Sequence, residues 1–106
     1  MAAKTNTEII CAPATLHGGA LGIIRITGQG SIAAVKDVCK GLPEKTEARK
    51  AYFCRLYERE ELLDEVIVTT YEEPNSYTGE DCVEISCHGS VFIMQHILSV
   101  LTENGL

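Results

Sequence analysis

The sequence predicts an α+β domain, a mixed or antiparallel sheet with helices packed on one side. Three observations carry this. Five segments alternate or cluster β-branched and apolar residues as strands do, two others repeat apolar residues at helical spacing, and glycine, proline and charged turns separate them. The resulting order is β-β-α-β-β-β-α, without the regular strand–helix alternation of a parallel α/β fold.

Each element has its own warrant. Residues 7–12, Thr-Glu-Ile-Ile-Cys-Ala, read as a short strand closed by Pro13, and 20–27, Ala-Leu-Gly-Ile-Ile-Arg-Ile-Thr, as a β-branched strand after the His17-Gly18-Gly19 loop. Gly28 and Gly30 punctuate the chain, and Ser31 is a candidate cap for a helix with Ile32, Val35, Val38 and Cys39 on one side. Gly41 and then Pro43 are its expected stop. Residues 50–57 and 63–70 form a hairpin about the charged turn Glu58-Arg59-Glu60-Glu61. The acidic run there is the solvated turn of a hairpin. In the strand 81–88, Val83, Ile85 and Cys87 point one way and Glu84, Ser86 and His88 the other. Ser90 is placed to cap the last helix, whose apolar stripe is Met94, Ile97, Leu98 and Leu101, with Asn104-Gly105 as the stop.

At 106 residues the length suits one domain. Its nine basic residues are scattered and its net charge is −6, which argues against direct binding of tRNA or DNA, because phosphate contacts need clustered Lys and Arg. Five cysteines, an odd number, follow no signal peptide, and no run reaches transmembrane length; buried thiols in a reducing cytoplasm are expected. Cys82, Cys87 and His88 lack the CxxC spacing and the fourth ligand of a tetrahedral metal site. Cys87 and His88, adjacent on a strand, face opposite ways and are not a nucleophile–base pair.

Gly28-Gln29-Gly30-Ser31-Ile32-Ala33 fits G-x-G-x-x-G/A between a strand and a helix, the form of a dinucleotide phosphate loop. The acidic residue that should end a second strand about 20 positions on falls instead at Glu47, inside the loop 43–50. A tight strand-to-helix turn is the plainer reading. No G-x-x-x-x-G-K-[ST] occurs, so the chain has no P-loop of its own.

Two charges stand inside apolar strands. Arg25, in Ile23-Ile24-Arg25-Ile26, is either an edge-strand arginine facing water or a clamp for a carboxylate or carbonyl. Glu84, in Val83-Glu84-Ile85, is a solvent-facing strand residue, a salt-bridge partner for Arg25, or a carboxylate that accepts two parallel N–H bonds from an aminopyrimidine edge such as a pterin's. His88, at a strand end before Gly89-Ser90, reads as a residue that positions a loop.

Pro74-Asn75-Ser76-Tyr77-Thr78-Gly79-Glu80-Asp81, followed by Glu84 and Cys87-His88-Gly89, resembles the signature of the MnmE (TrmE) family of tRNA-modification GTPases. Thr7-Glu8-Ile9-Ile10-Cys11-Ala12-Pro13-Ala14 and the stretch 18–28 resemble the opening of that family, so the likeness spans nearly the whole chain. It differs where the family usually has Pro-Pro-Gly-Arg-Gly-Gly and this chain has Ala14-Thr15-Leu16-His17-Gly18-Gly19, and where Ser90 stands in place of a glycine.

The resemblance implies an N-terminal tetrahydrofolate-binding and dimerisation domain, 1–106, with a fold related to glycine-cleavage T-protein. Arg25 and Glu84 occupy the family's folate-contacting positions, and the ligand is a tetrahydrofolate derivative in the 5-formyl or methylene form. It further implies a helical domain and a GTPase domain using Mg²⁺ and K⁺ downstream, and a further folate-contacting lysine beyond these residues. The whole protein would act with the FAD-dependent partner MnmG on C5 of the wobble uridine of tRNA, with no membrane attachment. A structural dimerisation domain that does not hold folate is the competing expectation.

Overall fold

The computed structural model describes residues 9–13, 21–72 and 80–103. Their elements are β1 (Ile10–Pro13), β2 (Leu21–Thr27), α1 (Ser31–Lys36), β3 (Cys39–Lys40), β4 (Ala51–Glu58), β5 (Glu61–Tyr71), β6 (Cys82–His88) and α2 (Val91–Glu103). The strands form a six-stranded sheet in the order β1-β2-β6-β5-β4-β3. Every pairing in it is antiparallel, so of the two expected forms the sheet is the antiparallel one.

Alternation within the strands fixes which face is buried. Ile24 and Ile26 of β2, Val83, Ile85 and Cys87 of β6, Val66 and Val68 of β5, and Cys54 and Leu56 of β4 all point inward. Val35 of α1 and Met94, Ile97, Val100 and Leu101 of α2 complete the same core, so both helices cover one face. Fully burying an aliphatic side chain of this kind contributes roughly 1.5–3 kcal/mol, and this inner layer holds the domain together. Gly22 belongs to the same close packing: a Cβ there would lie 2.5 Å from Met94 Sδ, so the missing side chain makes the seat for Met94.

Several expectations are corrected. The first helix is six residues long and is capped by Gly30, in a left-handed conformation, rather than by the Ser31 side chain. Ser31 is the first helical residue, and its Oγ is buried without a hydrogen-bond partner. The helix stops at Lys36, so Val38 and Cys39 are not on it; Cys39 and Lys40 form the edge strand β3, opposite Leu56 and Arg55. Val38 and Cys39 are buried all the same, because the turn after the helix and the edge strand bring them against the core. Pro13 does not close β1 but is its last residue, opposite Ile24; an edge strand can spare the N–H that proline lacks.

The hairpin expected from the charged turn is present. Glu58 pairs with Glu61 across Arg59 and Glu60, and Arg59 takes the positive φ, 56°, that so tight a turn demands. The pairing shifts between Leu56 and Tyr57, a bulge beside Asp64. Ser90 caps α2 as expected, its Oγ accepting from Ile93 N–H at 3.4 Å. The Pro74–Gly79 part of the signature, His17 and the Asn104-Gly105 stop lie outside the described residues.

Gly41 has a different task from the helix stop expected of it. Its φ is +124°, and an added Cβ would lie 2.7 Å from the Phe53 carbonyl oxygen and 3.2 Å from Cys54 Cα, both backbone atoms that cannot swing aside. Gly41→Ala is therefore expected to destabilise the domain by about 2 kcal/mol or more, measured as a lower urea midpoint with an unchanged m-value.

Candidate functional site: a charged pair on the open sheet face

The face of the sheet opposite the helices is uncovered among the described residues. Leu21, Phe53 and Ile67 are exposed on it, and no described helix packs there. Arg25 and Glu84 also lie on this face, for the reason the alternation implies: each sits between two core residues of its strand and so points the other way.

Register brings the two together. Arg25 is the cross-strand partner of Glu84 in the β2–β6 pairing. Arg25 Nε and Nη2 both donate to Glu84 Oε2, at 3.0 and 2.7 Å. The pair is only partly wet, with side chains 37% and 14% exposed. Two donors on one oxygen leave Oε1 turned the other way, where it accepts from the Tyr71 hydroxyl at 3.4 Å. Thr69 is the partner of Glu84 on the β5 side. Both isolated charges are thus accounted for: the salt-bridge alternative for Glu84 holds, and Arg25 lies on a strand next to the edge rather than on the edge itself. The carboxylate remains an acceptor with two oxygens, oriented from one side by a guanidinium and from the other by a phenol.

His88 is held by a residue that sequence reasoning passed over. Asp64 Oδ1 accepts from His88 Nδ1 at 2.7 Å and Oδ2 from the His88 backbone N–H at 2.9 Å, while the Glu65 N–H donates to Oδ1 at 3.0 Å. The carboxylate, 6% exposed, accepts only, so Nδ1 carries the hydrogen; the imidazole itself is 67% exposed. This fixes the end of β6 just before α2, which agrees with His88 as a positioning residue. The signal for Asp64 was present: it shares the inward parity of Val66 and Val68 in its strand, where a carboxylate needs partners.

Cys87 is buried and His88 faces water, so the two do not meet as nucleophile and base. Burial raises the Cys87 thiol to about 11, with Asp64 adding to the effect, and raises Cys39 to about 12, with Cys54 adding there. Burial also raises Cys82. These thiols are neutral at physiological pH, when nucleophilic attack or metal ligation needs thiolate. Among the described residues no group of three or more His, Cys, Asp and Glu side chains is placed to hold a metal ion. No described helix is long and apolar enough to cross a membrane.

The glycine turn does not form a nucleotide loop. Gly28 N–H donates to the Asp81 carbonyl at 2.9 Å, and β2 and the next strand, β3, stand at opposite sides of an antiparallel sheet, so the parallel unit such a loop requires is missing. A cleft of about 290 Å³, lined by Asp37, Lys40, Tyr57, Glu58 and Glu103 among others, lies at the β3–β4 edge and shares no residue with the Arg25–Glu84 pair.

Together these features define a two-layer α+β domain with an open antiparallel face, on which a carboxylate is oriented between an arginine and a tyrosine. Residues 9–106 match the family described as the GTP-binding protein TrmE N-terminus, and the chain belongs to that family. It is similar to proteins named tRNA modification GTPase MnmE. That of Bacteroides thetaiotaomicron is 42% identical over 107 residues, covering 94% of this chain and 23% of the relative. That of Bdellovibrio bacteriovorus is 41% identical over 103 residues, with 94% and 22% covered. That of Flavobacterium johnsoniae is 38% identical over 105 residues, with the same coverage. The chain therefore spans less than a quarter of the length of these relatives.

Two outcomes test this description. In a double-mutant cycle, Arg25→Ala and Glu84→Ala should show a coupling of about 0.5–1.5 kcal/mol in urea unfolding, above the median for an exposed pair because this one is half-buried. For the thiols, the folded values exceed the ordinary 9.0, so stability is fully present below pH 9 and is lost as pH rises through the folded values. Denaturation midpoints should be level from pH 7 to 8.5 and fall above pH 9; a Cys39→Ala, Cys87→Ala double variant should flatten that decline.

Proposed function

We propose that this chain is the tetrahydrofolate-binding, dimer-forming N-terminal module of a tRNA-modifying GTPase. The observation that carries the reading is the half-buried Glu84 carboxylate, oriented by Arg25 and Tyr71 on an open face. Its two acceptor oxygens, with the Arg25 donors beside them, fit a pterin. The amino group and adjacent ring N–H of an aminopyrimidine present two parallel donors to a carboxylate, and the neighbouring ring carbonyl suits a guanidinium. Glu84 would hold the amino edge and Arg25 the carbonyl, with Arg25 also keeping the carboxylate aligned. When bound, the folate, in its 5-formyl or methylene form, supplies a one-carbon unit.

The names of the relatives, tRNA modification GTPase, support the GTPase and the tRNA modification; the finer chemistry is what the family resemblance implies. In the whole protein, a GTPase domain using Mg²⁺ and K⁺ would lie outside these residues. With MnmG it would install an aminomethyl-type (carboxymethylaminomethyl) group at C5 of the wobble uridine of tRNA in the cytoplasm. The net charge of −6 is in keeping with tRNA being held elsewhere in that assembly. Exposed Leu21, Phe53 and Ile67 support a homodimer, since apolar side chains gathered on one sheet face are suited to association.

The competing reading is a structural dimerisation domain without folate. It is favoured by the Arg25–Glu84 pair itself, in which the two charges already satisfy one another. Calorimetric titration of the full-length dimer with 5-formyltetrahydrofolate separates the two. The folate reading predicts saturable binding, weakened at least tenfold in Arg25→Ala and in Glu84→Ala, while thermal midpoints shift by only a few degrees. No heat of binding in the wild type, or affinity untouched by either change, would leave the structural reading standing.

A further inference from the structure

The Arg25–Glu84 pair is the first half of a longer row. Tyr71, whose hydroxyl reaches Glu84, stands on β5, and the guanidinium carbon of Arg49 lies 5.5 Å from the centre of its ring. Arg49 precedes β4, whose pairing with β5 runs through Ala51 and Thr69. An Arg49 N–H to Thr70 carbonyl bond of 2.7 Å carries that contact past the end of the strand. Arginine, carboxylate, phenol ring and arginine therefore follow one another across β2, β6, β5 and the start of β4, which are neighbours in the sheet. Three strand spacings separate the ends, roughly 14 Å.

Arg49 also has an unusual backbone. Its φ is +66°, a region uncommon for residues other than glycine and typically found where function or a turn requires it. Arg59, with φ +56°, sits in the two-residue hairpin turn that demands it. Arg49 likewise lies in a turn, at residues 48–49 just before β4. It is exposed, in the loop leading to β4, with its side chain over Tyr71.

We propose that Arg49 is a further ligand-contacting residue of this face, taking the carboxylate of the glutamyl tail of folate. This rests on the folate reading given above. The chemistry follows the order of the row. Arg25 and Glu84 neutralise one another and so suit an uncharged polar head, Tyr71 suits an aromatic middle, and a second guanidinium at the far end suits an acidic tail. Folate has these three parts in that order. Glu84 and Arg25 then read the head, and Arg49 distinguishes glutamyl-bearing ligands from those that lack the tail.

The test compares two probes in the full-length protein: 5-formyltetrahydrofolate, and 5-formyltetrahydropteroate, which has the same head and ring but no glutamate. Wild type should prefer the glutamyl ligand by about tenfold. Arg49→Gln should erase that preference and leave pteroate affinity within about twofold, whereas Arg25→Ala should weaken both ligands alike. Arg49→Gly, which accepts the positive φ without strain, should lose the preference while keeping or raising the thermal midpoint, which separates ligand contact from a folding role. A preference retained in Arg49→Gln, or an equal loss for both probes, overturns the assignment and makes Arg49 a support for Tyr71. If wild type binds neither probe, the folate reading fails and this inference with it.

Discussion

Both faces of this domain depend on the antiparallel pairing of β2 with β6 in the register that sets Arg25 opposite Glu84. In that register Ile24, Ile26, Val83 and Ile85 are wholly buried under the helices, and the two charges meet on the other side. A slip of one residue would send the isoleucines into water and two charges into the core. The cost of that exchange far exceeds anything the ion pair contributes. The core therefore holds the pair in place, and not the reverse: a salt bridge with part-exposed partners is worth little to the fold, but it leaves the Glu84 carboxylate already oriented by Arg25 and Tyr71.

The same division runs through the remaining polar groups. Asp64 is turned inward at the β4–β5 bulge and is satisfied by two backbone N–H groups and the His88 ring. This fastens the end of β6 to the start of β5 where the chain turns into α2. The cysteines behave as small apolar residues, their thiols kept neutral by burial. On the inner face, then, the buried carboxylate is tolerated because both its oxygens have donors, and Ser31 Oγ in α1 is the buried exception. The outer face carries the groups able to make new contacts.

Much of the architecture was legible from periodicity because strands and helices repeat differently. The hairpin, the parity of β6 and the stripe of α2 all follow from that difference. The first helix was not legible in the same way. Val35, Val38 and Cys39 share a helical spacing, yet the last two reach the core from a turn and a short edge strand, and burial alone does not distinguish these routes. Gly41 was read as a helix stop because glycine commonly ends helices; what it serves is the close passage of the chain over Phe53 and Cys54. Such a contact joins residues a dozen positions apart and leaves no local mark.

At the site, Arg25 and Glu84 stood out because a charge inside a run of isoleucine and valine demands an explanation, and their family positions pointed the same way. Their types and strand parities were written locally, so the chain order was enough to find them. Their pairing was not local: 59 residues separate them, and only the sheet order decides that β2 lies beside β6. Tyr71 and Arg49 join them for the same reason, through strand neighbours and a positive φ that no spacing rule foretells. Side-chain chemistry and alternation belong to the linear chain because they depend on neighbours one to four residues away. Which charges touch, which carboxylate is shielded and which ring stands between that carboxylate and Arg49 belong to the tertiary structure, because the packing of the core sets the register that brings them together.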